Sequence, residues 1–399
     1  MHDSSSPRTS VIDLPAPARG PKVLVLFGTR PEAIKLAPVI HELHRRGFDT
    51  LVVSSSQHKS LLKPFLESLD IRVDLDLGVM KKDQSPNDVC SRVVAKLDRI
   101  LVAEQPDMIL VQGDTTTALA GALAGFNRKI AVGHVEAGLR SGDLMSPFPE
   151  EMNRRLITQM ATLHFAATKM NRDNLLAENV PAAGIIVTGN PVVDSLHAML
   201  RGLAPSEKIS KILAATATKK RILLTTHRRE SFGEAMSGNL KVLRQFVERH
   251  TDVCVLFPVH PNPNVRAVTS DILGDTPNVH LLDPLDYSDF LALMRSAWLV
   301  VSDSGGVQEE TPSLGKPLLV IRENTERPEA LASGVAKLAG SSAKLRRLLE
   351  ENYAADTWLR SVTEIANPFG DGRASERIVK AIAQKLGHRM SATAERMAA

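Results

Sequence analysis

Short apolar runs alternate with amphipathic stretches along most of the chain. Residues 22–27 (KVLVLF) read as a buried strand. Residues 31–46 follow with Ile34, Ala37, Val39, Ile40 and Leu43 at helical spacing. Further strand-like runs lie at 50–53, 108–111, 130–132, 163–166 and 185–187, with helical patterns between most of them. Unbroken apolar strands joined by helices predict a parallel sheet covered on both faces. The pattern restarts after a polar stretch at 203–220, with strand runs at 221–225, 253–257, 279–282, 298–301 and 317–321. There is no short-period repeat. The reading is an α/β chain of two Rossmann-like, doubly wound domains, 21–190 and 191–372, with a hinge near Thr188–Gly189–Asn190–Pro191. Segment 1–20 is expected to be a disordered tail. Within 373–399, a last helix at about 373–387 is expected to cross back to the first domain. Open α/β sheets bind ligands at the carboxyl ends of their strands, so two facing sheets predict an interdomain cleft.

Composition narrows the function classes. The 399 residues suit two domains at roughly 150 residues each. Lys plus Arg number 49 against 45 Asp plus Glu, with no dense basic stripe, which argues against nucleic acid as the main partner. A local cationic pocket for an anionic metabolite remains compatible with that balance. Cys90 and Cys254 have no CxxC or CxxH partner, so neither a disulfide framework nor a cysteine metal site is expected, in keeping with a reducing cytoplasm. The Ser- and Pro-rich start has no apolar core of a signal peptide, and no run of about 18 apolar residues predicts a membrane span. GxGxxG and GxxxxGK[ST] are both absent, which removes the usual nicotinamide fingerprint and the P-loop. No His-rich set suggests a metal.

Four sets of residues carry candidate chemistry, all at strand ends except Glu150, which lies at an expected helix start. Gly28-Thr29-Arg30-Pro31-Glu32 opens the first helix, with Arg30 and Lys35 on its first turns; it reads as an anion site or as a plain helix start with a solvated Arg. Ser302-Asp303-Ser304-Gly305-Gly306 stands where a doubly wound domain holds phosphate, and Glu310, one turn on, suits two ribose hydroxyls; the plain reading is a Gly-rich turn into a helix. Asp114, Glu136 and Glu150 form a carboxylate set. Asp114 alone would serve as an N-cap and Glu150 alone as a dipole partner. Two acids on neighbouring strand tips, however, suit acid–base chemistry. Thr226-His227-Arg228-Arg229-Glu230 opens the second domain's first loop, placing His227 and Arg228 toward the cleft unless the group is a surface charge cluster. His58 and His260 read as structural.

Taken together, GTRPEAIKLAP (28–38), QGDTTT (112–117), HVEAGLRSGD (134–143), PFPEEMNR (147–154), THRRESFG (226–233), SDSGGVQEE (302–310), SLGKP (313–317) and ERPEA (326–330) resemble the non-hydrolysing UDP-N-acetylglucosamine 2-epimerases, in family order from about 22 to 378. The resemblance implies a GT-B architecture, usually dimeric, that interconverts UDP-GlcNAc and UDP-ManNAc for polysaccharide biosynthesis without a cofactor. It implies that the Leu285 backbone, Phe290 and Glu310 contact the nucleoside. Ser304, Gly305 and Gly306 would meet the pyrophosphate, with Arg30, His227 and Arg327 around it. Lys35, Asp114, Glu136 and Glu150 would face the sugar. Some bacterial members bind a second UDP-GlcNAc as activator. Of that site Gln57, Gln84, Glu150, Arg228 and His260 are kept, whereas Asp83 stands where some members have Arg. The common Thr-Gly-Gln-His reads Ser55-Ser56-Gln57-His58, and the Gly-Asn-Thr hinge reads Gly189-Asn190-Pro191.

The implied route is elimination of UDP to 2-acetamidoglucal and re-addition with C2 protonated from the other face. Departing pyrophosphate would be stabilised by the Gly305–Gly306 helix start, Arg30 and His227. Two proton-transfer groups are needed; Asp114 and Glu136 are expected to bracket C2, with Glu150 assisting, and the order of acid and base stays open. The competing readings are a GT-B glycosyltransferase using a UDP-sugar, an epimerase acting on a UDP-diacetamido uronic acid, and a non-catalytic UDP-sugar sensor.

Overall fold

The computed structural model describes residues 20–55, 66–81, 83–226 and 233–388. Two all-parallel sheets organise the chain. The first contains β1 (Lys22–Phe27), β2 (Asp49–Ser54), β3 (Leu75–Asp76), β4 (Met108–Gln112), β5 (Ala131–Ala137), β6 (Leu163–Ala166) and β7 (Ile185–Val187) in the order β3-β2-β1-β4-β5-β6-β7. The second contains β8 (Lys220–Thr225), β9 (Val253–Pro258), β10 (Val279–Leu282), β11 (Leu299–Ser302), β12 (Leu318–Val320) and β13 (Ala336–Leu338) in the order β10-β9-β8-β11-β12-β13. Both therefore reverse direction at one place: between β1 and β4 in the first lobe, and between β8 and β11 in the second. Such a switch point opens a crevice at the strands' carboxyl ends, and the two crevices face each other in a GT-B-like arrangement.

The central strands form because both faces are covered. Leu24 to Phe27, Met108 to Val111 and Leu299 to Val301 are fully buried, as the unbroken apolar runs require. β3 and β13 are absent from the sequence reading. β3 has only two residues, Leu75 and Asp76, both exposed, and Lys337 interrupts the three of β13. β5 runs five residues beyond the apolar run at 130–132, through His134 and Glu136, because these polar side chains are buried with partners of their own. Near its end the register against β6 shifts between Val135 and Ala137, and Glu136 takes φ 67°. A bulge of this kind re-aims a side chain, and a non-glycine residue in this region is a strained one that points to function.

The helix Arg30–Arg45 opens with a capping box. Thr29 accepts from the Glu32 N–H, and the Glu32 carboxylate accepts from the Thr29 N–H at 2.7 Å and the Gly28 N–H at 3.1 Å. Cβ on Gly28 would lie 2.5 Å from Ser55 Oγ and 2.6 Å from Thr117 Oγ1, so the turn out of β1 has room only for glycine. The helix Ala374–Lys385 packs against this first helix, and its start is held by Asp194 of the helix Pro191–Arg201, which accepts from the Ala374 and Ser375 N–H groups at 3.1 and 2.8 Å. The chain's two passages between the lobes touch. The Asn190 N–H donates to the Phe369 carbonyl at 2.7 Å, and Gly189 (φ 87°) lies against Gly370 (φ 141°). Among the described residues, no helix is long and apolar enough to cross a membrane.

Candidate active site

The groove between the switch points has a volume of about 1030 Å³. The first lobe lines it with Lys35, Asp114, Glu136 and Glu150, and the second with Phe290, Ser304, Gly305, Gly306, Glu310 and Arg327. Residues far apart in the chain thus meet as expected. Arg30 is exposed between Thr29 and Pro31, which line the groove, and lies near the charge of Asp286. His227, Arg228, Gln57 and His58 lie outside the described residues.

Three other expected residues, Leu285 for its backbone and Gln84 and His260 for a second site beside the first, are not on the groove wall. Leu285 is half-buried against the core. Gln84 takes hydrogen bonds from the Lys81 N–H at 2.9 Å and from Arg92, which fixes the turn before the helix Pro86–Glu104. The His260 ring accepts from the Asn262 N–H at 3.2 Å and stabilises the turn after β9.

Glu136 is the most constrained acid. The bulge of β5 turns it into a shell of donors: Lys35, Gln112, Asn190 at 3.0 Å and Arg327 at 3.6 Å. Burial works to raise its carboxyl, but Lys35 and then Arg327 outweigh burial and hold it down at about 2. Asp114 precedes the helix Thr116–Asn127. Thr115, not Asp114, caps that helix by accepting from the Ala118 N–H at 3.1 Å. The Asp114 carboxylate is instead held by Arg154 at 2.5 Å, and its carbonyl accepts from Asn153 at 2.8 Å. Arg154 also binds the fully buried Glu151 at 2.9 Å. Beside these acids, His134 is buried with its ring on the Gly113 carbonyl at 2.8 Å. Burial pushes it down to about 3, so it stays neutral and supports the loop that carries Asp114.

The second lobe supplies the glycine turn. The Ser304 N–H is taken by the Ser302 hydroxyl at 2.9 Å, so Gly305 and Gly306, the first residues of the helix Gly305–Glu310, offer the backbone donors toward the groove. The Arg327 guanidinium lies directly beneath. A Cβ on Gly305 would fall 2.5 Å from its Nη1, whereas one on Gly306 would meet nothing nearer than Ser304 Oγ at 3.9 Å. Arg327 is anchored by Glu309 at 2.6 Å and Glu326 at 2.5 Å. Glu310 accepts from the Tyr287 hydroxyl at 2.7 Å, and burial pushes its carboxyl up to about 7.

Glu309, Glu326, Arg154, Gln112 and Asn190 escape the sequence reading because each acts on another polar side chain. The available signals were slight: the Glu151–Arg154 spacing on one helix face, and Glu309 standing next to Glu310.

The chain is similar to known proteins over most of its length. A family model described as UDP-N-acetylglucosamine 2-epimerase matches residues 41–383. The chain belongs to that family. It is 44% identical over 372 residues to the UDP-N-acetylglucosamine 2-epimerase of Escherichia coli K12, covering 90% of this chain and 98% of that protein. A crystal structure of the Neisseria meningitidis UDP-GlcNAc 2-epimerase bound to UDP-GlcNAc superposes with a TM-score of 0.86 at 41% identity, covering 91% of this chain and 100% of that one. The Methanocaldococcus jannaschii enzyme in complex with UDP-GlcNAc and UDP gives 0.80 at 32% identity over 91% and 99%.

Two outcomes check the geometry of this epimerase-family site. Gly305→Ala drives a methyl group into Arg327 and lowers the melting temperature, whereas Gly306→Ala melts like the parent protein. Glu310 titrates near 7 when folded, against an ordinary 4.5. Between those values the folded form binds the extra proton, so stability falls as pH rises from about 4.5 through 7. Glu310→Gln therefore raises the melting temperature at pH 8 and leaves it nearly unchanged at pH 4.

Proposed function

We propose that the protein interconverts UDP-GlcNAc and UDP-ManNAc by eliminating UDP and adding it back. Membership of the epimerase family supports the reaction. The observation that carries the site assignment is a groove with Asp114 and Glu136 on neighbouring strand tips of one lobe and Gly305, Gly306 and Arg327 on the other. In this reading the nucleoside lies on Phe290 with its ribose on Glu310, and the diphosphate lies over the glycine turn.

In the forward step the C2–H bond breaks and its proton goes to a carboxylate. Its electron pair forms the C1=C2 bond, and the C1–O pair leaves with UDP. The second carboxyl, in its protonated form, then gives its proton to C2 from the opposite face, the C1=C2 pair forming the new C2–H bond, while an oxygen pair of UDP re-forms the bond to C1. Asp114 and Glu136 take these two roles, with Glu150 assisting. Their settings suit different tasks. Glu136 is buried among cations, and Asp114 is half-buried on a single arginine. Lys35 and Arg327 lie where leaving-group charge develops.

The reading includes a homodimer working in the cytoplasm, supplying polysaccharide biosynthesis. Support for the dimer comes from Val102, Phe126, Met152 and Leu156, exposed on three neighbouring helices of the first lobe. Both cysteines are free thiols, which accords with a reducing compartment.

In D₂O with no acceptor present, UDP-GlcNAc should gain deuterium at C2 and yield UDP-ManNAc by NMR; a glycosyltransferase would leave C2 protonated. Asp114→Asn should bind UDP normally and lose turnover by roughly 10²–10⁴-fold, and a variant with full activity would remove Asp114 from the mechanism. Light scattering should report twice the chain mass, falling to one chain in Phe126→Glu; an unchanged mass in that variant would move the interface elsewhere.

A further inference from the structure

Glu309 is 1% exposed and stands behind the groove wall. It comes from the second lobe, yet it touches cations that serve the first. Its carboxylate lies 3.1 Å from Lys35 Nζ and 2.6 Å from Arg327 Nε. Those are the two cations that hold Glu136. Around them acids and cations alternate: Glu136, Glu309 and Glu326 lie among Lys35, Arg327 and Arg322, the last paired with Glu326 at 2.7 Å. Nothing in the reaction requires a third acid at this depth, and a buried carboxylate is retained only where its charge is used or well matched.

Resting on the function proposed above, we infer that Glu309 is a positioning residue: it shares Lys35 and Arg327 with Glu136, so that these cations do not act on Glu136 alone and it can take the C2 proton in whichever direction of the reaction uses it as base. The same sharing sets the charge presented to the diphosphate. Without Glu309, Glu136 alone would face both cations and become a weaker base. The groove would also carry one more positive charge beside Gly305, where Arg327 lies under the turn. The two effects have opposite signs.

Glu309→Gln removes the charge and keeps the shape. The expected result is deuterium exchange at C2 slowed by about tenfold or more, together with UDP bound several-fold more tightly by calorimetry. A packing defect would weaken both. Exchange at the parental rate, or UDP affinity lost along with exchange, overturns the inference. If the Gln variant does not fold, Glu309→Asp decides, since it keeps the charge. It should bind UDP like the parent and exchange within a few-fold of it, and tighter UDP binding with slowed exchange would sink the idea. Failure of the underlying reading looks different, because the parent protein itself would then show no exchange at C2.

Discussion

A carboxylate out of bulk water must be matched by cations. That constraint organises this molecule. Glu136 meets it with Lys35 from the first helix and Arg327 from the facing lobe. The cations are in turn held by Glu309 and Glu326. The cluster therefore needs both lobes, and removing one member leaves another buried and unmatched, which is costly. Asp114 follows a milder version of the same rule, half-buried on Arg154, which leans on Glu151.

The sheets serve this requirement. Parallel strands buried on both faces bring their carboxyl ends to one edge, and a reversal of strand order opens that edge. β1, β4 and β5 carry Gly28, Asp114 and Glu136 there. β8 and β11 carry Thr225 and the Ser304–Gly306 turn, and their tips are tied by Thr225 and Ser302 at 2.6 Å. The glycines are needed because side-chain hydroxyls come too close for a Cβ at Gly28, and the Arg327 guanidinium does at Gly305.

Much of this was legible in the sequence. Apolar runs mark the long strands because double burial leaves few polar positions in them, and β5, which buries His134 and Glu136, showed only its first part. The site residues of the described segments, apart from Leu285, Gln84 and His260, lie on or beside the groove, because motifs at strand tips inherit their position from the topology. Leu285 was expected only through its backbone, and Gln84 and His260 at a second site beside the first. Short elements such as β3 and β13 leave too little pattern to read. The supporting polar layer was illegible for a different reason. Glu309, Glu326 and Arg154 satisfy other side chains, and such pairings depend on three-dimensional closeness that no local spacing encodes. The bulge at Glu136 likewise lies in φ, which the letters do not display.

The joint between the lobes carries a mechanical consequence. Where Asn190 meets Phe369 and Gly189 lies against Gly370, the two connecting passages run side by side instead of at opposite rims. Paired connections of that kind act like a door's pintle: they leave one swing axis and resist twisting or sliding. The lobe edges farthest from this line would therefore travel most during opening, while the contact behind Glu136, through Asn190, would travel least.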